Sequence, residues 1–238
     1  MSAPRLVGVL GGMGPLATLD FLQRLLEASG ARRDQEHVPT VTWNVPQIPD
    51  RQLALAGGGA DPLPAMLQGI ERLNAAGASC IAIPCNTAHA WYEALSAHSR
   101  VPIFHIVDAT VQALQAAPQP PHSAPRIGLI ATRGALEQRL YQSRLEAAGL
   151  EYLVPTAQEL DQFFMPGCYA IKAHDIASGG RLLALSAEAL LARGATQLVL
   201  ACTEVAIGLR HAAPELLALS VDPATALAQA CLRHWKQG

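Results

Sequence analysis

The chain is poor in charge, in lysine and in aromatic residues, and none of its apolar stretches is long. Charged residues make up 15% of its 238 residues, and the formal net charge is −2. Because no basic block stands out, we expect no nucleic-acid partner. No apolar run approaches the roughly 20 residues that a membrane helix needs, and the first residues lack the charged-then-apolar layout of a signal peptide. We therefore expect no membrane contact.

The cysteines follow neither a disulfide framework nor a metal-binding pattern. Their number is odd, and they lack CxxC or Cys/His spacing: Cys80, Cys85, Cys168, Cys202 and Cys231. Both observations favour a reduced, cytoplasmic setting and argue against a zinc site. We therefore predict no bound metal. Half of the residues are hydrophobic, which is ample material for a folded core.

Two of these cysteines occupy the same place in two copies of one pattern. Cys85 ends the segment Ile-Ala-Ile-Pro-Cys, and Cys202 ends the segment Leu-Val-Leu-Ala-Cys; small polar residues follow both. A thiol at the carboxyl end of a parallel strand lies where ligands bind in open α/β sheets. Two such thiols, one in each half of the chain, are placed to face one small molecule.

A second pair of landmarks supports an internal repeat. Gly8 and Gly128 lie in similar strand-like segments, and nearly the same number of residues separates them as separates the two cysteines. Any α/β protein repeats strand, turn and helix, but this alternative explains the matching cysteines less well. We predict two similar lobes, 1–115 and 116–212, related by a pseudo-two-fold axis. The proline-rich segment 116–125 is the predicted linker, and 213–238 is expected to pack back on the first lobe.

Hydrophobic periodicity predicts an α/β fold in which strands alternate with helices. Strands are predicted at 5–10, 38–43, 79–84, 102–106, 126–131, 151–154 and 197–201. Helices are predicted at 17–27, 62–75, 136–148 and 180–192, with helix C-termini at Gly30, Gly77, Gly149 and Gly194. Such alternation implies right-handed crossovers and a parallel sheet flanked by helices in each lobe.

The glycine-rich turn at 11–15 follows a predicted strand and opens a predicted helix. It matches neither GxGxxG nor GxxxxGK[ST], and no acidic residue is placed convincingly to hold a ribose. We interpret it as a tight turn that brings backbone close to a small ligand. The positive end of the helix dipole there favours an anion, and we rank a carboxylate above a phosphate.

Four separated motifs resemble the cofactor-independent aspartate/glutamate racemase family, and its aspartate racemase branch most. They are GGMGPLAT at 11–18, IPDR at 48–51, PCNTAH at 84–89 and ACTE at 201–204. They occur in the family's order and span essentially the whole chain. The resemblance implies two pseudo-symmetric lobes, each a parallel sheet flanked by helices, with the active site in the cleft between them. It also suggests a homodimer.

The resemblance implies a two-base racemisation of an amino acid at its α-carbon, without pyridoxal phosphate or another cofactor. One cysteine thiolate removes the α-proton from one face, and the other cysteine, as a thiol, returns a proton to the opposite face. Cys85 and Cys202 match these proton carriers. A thiol of pKa ~8.5 can be tuned toward neutrality by helix N-termini and cations. Either residue alone would be interpreted as a buried structural cysteine, but the pair favours catalysis.

The resemblance also implies substrate contacts next to the cysteines and in the IPDR motif. Asn86, Thr87 and Thr203 would donate to the α-carboxylate and the developing enolate, while helix N-capping is a compatible alternative role. Arg51 would hold a side-chain carboxylate bidentately, and the alternative is an ordinary surface arginine. Met13 would line the pocket through its backbone.

Three further residues are candidates with competing interpretations. Lys172, one of only two lysines in the chain, would add a second cation for a dicarboxylate, or is simply solvated. Glu204 would orient groups around the second cysteine or bind the substrate ammonium. His89 is either a partner of the first cysteine or a core or surface histidine. The remaining three cysteines are interpreted as packing residues.

The chain departs from the family pattern at two positions, and the first of them leaves the substrate open. Gln52 follows Arg51 where the aspartate-specific pattern tends to place a threonine, and Ala201 stands before Cys202 where glycine is common. Aspartate is the first choice, glutamate the second, and broad specificity the third. Within the superfamily, hydantoin racemisation, maleate isomerisation and arylmalonate decarboxylation are alternatives, although a decarboxylase needs only one cysteine. A non-catalytic sensor of an acidic metabolite is an alternative of another class.

Overall fold

The computed structural model describes residues 5–117 and 125–237, which form two compact units. The first unit comprises the described residues up to Ala109 together with those from Ala224 onward. The second unit comprises the described residues from Thr110 to Pro223. Most of the predicted linker lies outside the described residues.

Each unit contains a four-stranded parallel sheet, and the two sheets have the same strand order. The order is β2-β1-β3-β4 in the first unit and β6-β5-β7-β8 in the second. The strands are β1 Val7–Gly11, β2 Thr40–Asn44, β3 Cys80–Ala82, β4 Ile103–Phe104, β5 Ile127–Leu129, β6 Tyr152–Leu153, β7 Gln197–Val199 and β8 Ser220–Val221. The shared order confirms the predicted α/β fold and the internal repeat.

All the predicted strands are present, and β8 is an addition to them. Its residues Ser220 and Val221 pair with Leu198 and Val199 of β7. The sequence did not reveal β8 because the apolar residues just before it belong to a 3₁₀ turn, Pro214–Leu219, and so do not extend its strand pattern. Since β8 belongs to the second sheet, the chain returns to the first unit at Ala224 and not at the predicted residue 213.

Helices connect the strands in both units. They are α1 Pro15–Ser29, α2 Arg51–Leu55, α3 Leu63–Ala75, α4 Tyr92–His98, α5 Ile106–Ala116, α6 Arg133–Glu137, α7 Gln142–Ala147, α8 Ala157–Glu159, α9 Met165–Lys172, α10 Ile176–Ala192, α11 Thr203–Ala212 and α12 Pro223–Lys236. A π-helical turn, Leu160–Phe164, joins α8 to α9. Among the described residues, no helix combines the length and the apolar character needed to cross a membrane.

Three of the four predicted helices are confirmed, whereas the single helix predicted at 136–148 is wrong. The chain forms α6 and α7 there, and Arg139 between them has a positive φ of 51°. The side chain of Gln142 donates to the carbonyl of Leu136 at 2.8 Å, which satisfies a backbone group that a continuous helix would have used. The four glycines predicted at helix ends all have positive φ: Gly30 61°, Gly77 81°, Gly149 70° and Gly194 94°.

The strand order creates a crevice at the carboxyl edge of each sheet. β1 lies between β2 and β3. The chain passes from β1 to β2 on one side of it and then crosses back to form β3 on the other side. At such a switch point, the loops that follow the two central strands diverge and leave room for a ligand. Cys85 and Cys202 each lie 3 residues beyond the last residue of β3 and β7, respectively. The repeat therefore brings one cysteine to the equivalent edge of each sheet.

Glycines in the second unit bring three helices into close contact. A Cβ atom on Gly179 of α10 would lie 2.8 Å from the carbonyl oxygen of Gly167 in α9. A Cβ atom on the neighbouring Gly180 would lie 2.7 Å from the carbonyl oxygen of Gly208 in α11. Real Cβ atoms do not approach backbone so closely, because contacts at that distance are repulsive. These contacts fix both α9 and α11 against α10.

Replacing Gly180 by alanine is expected to destabilise the protein, although alanine favours helices. The helix-propensity gain is about 1 kcal/mol, whereas overpacking costs about 1–3 kcal/mol. We expect a lower midpoint in thermal and urea unfolding. Gly58→Ala is the matched control, since an added Cβ there meets nothing within 4 Å. A midpoint for Gly180→Ala above that of the unchanged protein would contradict the close packing.

Candidate active site

Cys85 lies in a tightly held turn after β3. Its side chain is 7% exposed, and its backbone N–H donates to the carbonyl of Ile83 at 2.8 Å. Asn86 and Thr87 follow at the start of a 3₁₀ turn, Thr87–Trp91, and both are buried. The turn therefore places the thiol and two polar side chains together at the edge of the first sheet.

His89 holds the backbone of Cys85 in place through its imidazole ring. Its Nδ1 lies 2.9 Å from the carbonyl oxygen of Cys85, and its Nε2 lies 3.2 Å from the backbone nitrogen of Ile106. Since Nε2 accepts the amide proton, Nδ1 carries the hydrogen and donates to the carbonyl. The imidazole is therefore neutral, and it ties the cysteine turn to the start of α5. We interpret His89 as a positioning residue.

The first turn of α2 contacts Thr87, the residue that follows Asn86. Asp50 caps α2 by accepting from the backbone of Gln52 at 2.7 Å and of Leu53 at 3.0 Å. The Gln52 amide then donates to the hydroxyl of Thr87 at 3.0 Å. Gln52 is the departure from the family pattern noted above, and it orients a residue that is predicted to bind substrate.

Arg51 is buried, so the alternative of a surface arginine is wrong. It is 9% exposed, and its Nη1 donates to the carbonyls of Ile48 at 2.9 Å and Pro49 at 2.6 Å. Its buried Nε has no hydrogen-bond partner, and within the described part of the chain the guanidinium forms no ion pair. A buried donor without an acceptor costs about 1–3 kcal/mol. Arg51 therefore carries an unpaired charge and an unused donor.

The glycine-rich turn after β1 is closed by its own hydrogen bonds. The backbone of Gly12 donates to the hydroxyl of Thr18 at 3.0 Å, and that hydroxyl donates to the carbonyl of Gly14 at 2.9 Å. Gly12 has a φ of 93°, and a Cβ there would lie 2.3 Å from the backbone of Val45, so only glycine fits. Met13 is 2% exposed and shares a buried apolar cluster with Cys85.

Cys202 lies at the start of α11, where its thiol joins a hydrogen-bonded polar cluster centred on Glu204. It is 5% exposed, and its Sγ donates to Oε2 of Glu204 at 3.0 Å. The hydroxyl of Thr203 donates to the same oxygen at 3.2 Å. Nζ of Lys172 donates to Oε1 at 2.5 Å, forming an ion pair in which the Glu204 side chain is 4% exposed. The Lys172 side chain is 28% exposed, so it is partly solvated, and its charge is paired with that of Glu204.

The charges of this cluster shift the pKa of each member. Burial disfavours the charged form of Lys172, but attraction to Glu204 and the nearby sulfur atoms outweighs it and raises its pKa. Burial also disfavours the Glu204 carboxylate, but Lys172 and the thiol hydrogen bond hold its pKa below the usual value. Contact with Cys168, burial and the charge of Glu204 raise the pKa of Cys202 well above its usual value. At neutral pH the carboxylate and ammonium are therefore charged, and Cys202 is a thiol.

Cys168 belongs to this cluster, although the sequence indicated only a packing residue. Its Sγ lies 3.6 Å from Sγ of Cys202, and it is 2% exposed. Side chains four residues apart share one face of a helix, and Cys168 is four residues before Lys172 on α9. That spacing is the signal by which the sequence could have placed Cys168 near the site once Lys172 was assigned to it. The ligand atoms of Cys168, Cys202 and Glu204 all lie within 4.8 Å of one another, which is close enough to share a metal ion.

Known proteins resemble this chain in both sequence and fold. A broad specificity amino-acid racemase of Bacillus subtilis (strain 168) is 29% identical over 154 residues. The match covers 62% of this chain and 63% of that racemase, so it spans less than two thirds of the relative's length. The structure of the Picrophilus torridus aspartate racemase matches with a TM-score of 0.84 and 25% identity, covering 98% of this chain and 94% of that one.

A glutamate racemase structure shares the fold at lower sequence identity. The enzyme from Francisella tularensis subsp. tularensis, solved with D-glutamate, matches with a TM-score of 0.70 and 16% identity, covering 98% of this chain and 82% of that one. The sequence profile of the Asp/Glu/Hydantoin racemase family matches residues 10–231. Both cysteine turns and the Arg51 loop lie within that range. This chain therefore belongs to the Asp/Glu/Hydantoin racemase family.

Proposed function

We propose that the protein is an amino-acid racemase that inverts the α-carbon of aspartate, with glutamate as the second choice, and needs no pyridoxal phosphate. The observation that carries the proposal is the repeated placement of one buried cysteine 3 residues beyond the equivalent strand of each sheet. Family membership supports it, as do the names of the Bacillus and Picrophilus relatives.

The proposed mechanism uses the two cysteines as base and acid. Inversion needs one group to remove the α-proton from one face and another group to deliver a proton to the opposite face. In the resting enzyme Cys202 is the thiol, because Cys168, burial and Glu204 raise its pKa. Cys85 is then the base in the direction of inversion that starts with Cys202 protonated. After Cys202 has given up its proton, the ammonium of Lys172 and the N-terminus of α11 stabilise the thiolate.

The proposed contacts to the substrate come from both cysteine turns and from the IPDR motif. Asn86, Thr87 and Thr203 donate to the α-carboxylate and to the developing enolate. Arg51 holds the side-chain carboxylate, since its guanidinium has an unused donor and no ion-pair partner among the described residues. Met13 lines the site. Lys172 is committed to Glu204, so its proposed role is to hold that carboxylate and not to bind a second carboxylate of the substrate.

The first test follows exchange of the α-proton in D₂O with no added cofactor. We expect L-aspartate to gain deuterium and invert, and Cys85→Ser and Cys202→Ser each to abolish inversion, because each face then lacks its proton carrier. Cys80→Ser is the matched control, since Cys80 is a buried cysteine on β3 outside the proposed machinery. Inversion at near-normal rate by either of the first two variants would exclude the two-cysteine mechanism. Saturable binding of aspartate without exchange would favour the sensor, and exchange only with a hydantoin would favour the hydantoin branch.

The second test concerns the substrate's side-chain carboxylate. Hydrogen bonds to charged groups contribute about 1.5–3 kcal/mol, so Arg51→Ala is expected to lower kcat/KM for aspartate by about ten- to a hundred-fold. The preference for aspartate over alanine should shrink by a similar factor, and Arg51→Lys should restore only part of it. Arg72→Ala, which removes an exposed arginine of the same unit, is the control. An unchanged aspartate-to-alanine ratio in Arg51→Ala would remove the main support for an acidic substrate.

The third test concerns the protonation state of Cys202. Contact with Cys168 and burial contribute most to the raised pKa of this thiol, and the charge of Glu204 adds to them. Glu204→Gln removes that charge and weakens the hydrogen bond from Sγ, so the pKa should fall. We expect faster alkylation of Cys202 by iodoacetamide at neutral pH, about ten-fold for each unit by which the pKa falls. The measurement is the modified Cys202 peptide, quantified by mass spectrometry across a pH series. Glu215→Gln, on an exposed carboxylate, should leave the profile unchanged, and slower alkylation in Glu204→Gln would contradict the assigned charges.

A further inference from the structure

Cys168 has no part in the proposed racemisation, yet it lies in contact with Cys202. The two sulfur atoms are 3.6 Å apart, and Oε2 of Glu204 lies 3.0 Å from Sγ of Cys202. All three side chains are at least nine-tenths buried: Cys168 is 2% exposed, Cys202 5% and Glu204 3%. Two soft sulfur ligands and one carboxylate oxygen therefore meet in one place.

The distances suit a single tetrahedral ion. Zinc binds thiolate sulfur at about 2.3 Å and carboxylate oxygen at about 2.0–2.2 Å, so tetrahedral geometry places two sulfurs about 3.8 Å apart and a sulfur and an oxygen about 3.5 Å apart. The observed 3.6 Å between the sulfurs of Cys168 and Cys202 is about 0.2 Å short of its ideal value, and the 3.0 Å between Cys202 and Glu204 is short by about 0.5–0.7 Å. The remaining separation, between Cys168 and Glu204, is at most 4.8 Å. Small shifts of the side chains would complete the geometry.

The charges also balance. Two thiolates and a carboxylate carry three negative charges, and a divalent cation together with the ammonium of Lys172 carries three positive ones. Lys172 binds Oε1 of Glu204, whereas the sulfur of Cys202 contacts Oε2. The carboxylate can thus keep its lysine and still present its second oxygen to an ion. A buried ion without such compensation would be strongly disfavoured.

We propose that Cys168, Cys202 and Glu204 form a binding site for a thiophilic divalent cation, of which Zn²⁺ is the natural example. The two thiols lose their protons on coordination, and three protein ligands leave a fourth position for water. The site departs from the expectation of no metal, which rested on spacing along the chain. If the proposed function holds, an ion here occupies the sulfur of Cys202, so metal binding and racemisation exclude each other.

A second pair of contacting thiols provides an internal control. In the first unit, Cys80 and Cys231 are hydrogen-bonded to each other and both are fully buried. Within residues 5–117 and 125–237, the Cys168 cluster is the one group in which at least three potential ligand atoms of cysteine, histidine or acidic residues converge. The proposal therefore requires the Cys168 pair to bind metal and the Cys80 pair not to.

The test is a titration of the full-length protein with Co²⁺ alone, under anaerobic conditions with a non-thiol reductant. We expect one Co²⁺ per chain, a thiolate-to-cobalt charge-transfer band in the near ultraviolet, and visible bands typical of tetrahedral coordination. Zn²⁺ should displace the cobalt. Cys168→Ser and Cys168→Ala should abolish the charge-transfer band that cobalt gives with the Cys168–Cys202 pair. Glu204→Gln should weaken Co²⁺ binding at least ten-fold. Cys80→Ser should leave the spectrum unchanged.

Circular dichroism identifies variants that fail to fold. Cys168 is replaced by both serine and alanine so that the test remains possible if one of the two variants does not fold. A Co²⁺ titration of the unchanged protein without a thiolate band would overturn the proposal. So would a band that survives in both folded Cys168 variants or disappears in Cys80→Ser. Because the spectra are recorded without substrate, they decide the metal site even if the racemase proposal fails. If both proposals hold, Zn²⁺ will inhibit racemisation by the unchanged protein and by Cys80→Ser.

Discussion

A carboxylate that is buried away from water must be matched by donors, and Glu204 shapes the second unit for that reason. Three donors reach it, among them the ammonium of Lys172 at the end of α9. This ion pair requires α9 to approach the start of α11, which the glycine contacts with α10 permit. The same negative charge adds to the contact with Cys168 and to burial, which together raise the pKa of Cys202. In the first unit a neutral imidazole, His89, holds the backbone of Cys85, so the two copies of one scaffold place their cysteines in different chemical surroundings.

Most of the fold could be predicted from the sequence, because strand runs and helix-ending glycines are local signals. Gly30 and Gly194 illustrate this, since both adopt the positive φ expected at a helix end. β8 could not be predicted, because a 3₁₀ turn takes up the apolar residues before it and its pairing with β7 is decided by the tertiary fold. The break between α6 and α7 was missed for a similar reason. Its apolar spacing fits one helix, whereas Arg139 takes a left-handed conformation that the periodicity does not encode.

The candidate site was predictable as a set of residues but not as a set of contacts. Motif resemblance selected Arg51, Lys172 and Glu204 without indicating that the last two form an ion pair with each other. It also gave no reason to select Cys168, a residue of α9 that contacts Cys202, 34 positions further along the chain at the N-cap of α11. Spacing rules for metal ligands detect sites formed within one short segment, so they do not detect a cluster that tertiary packing creates.

The second unit is an insertion within the chain of the first. β1 at one end of the described chain and α12 at the other end both belong to the first unit, where Arg5 donates to the carbonyl of His234 and Cys80 contacts Cys231. Translation runs from the N-terminus, and domains generally fold as units while the chain emerges. The ribosome therefore completes every strand of both sheets before it makes α12. Until the whole second unit has been synthesised, the nascent first unit lacks α12, and the surface that α12 will cover stays exposed.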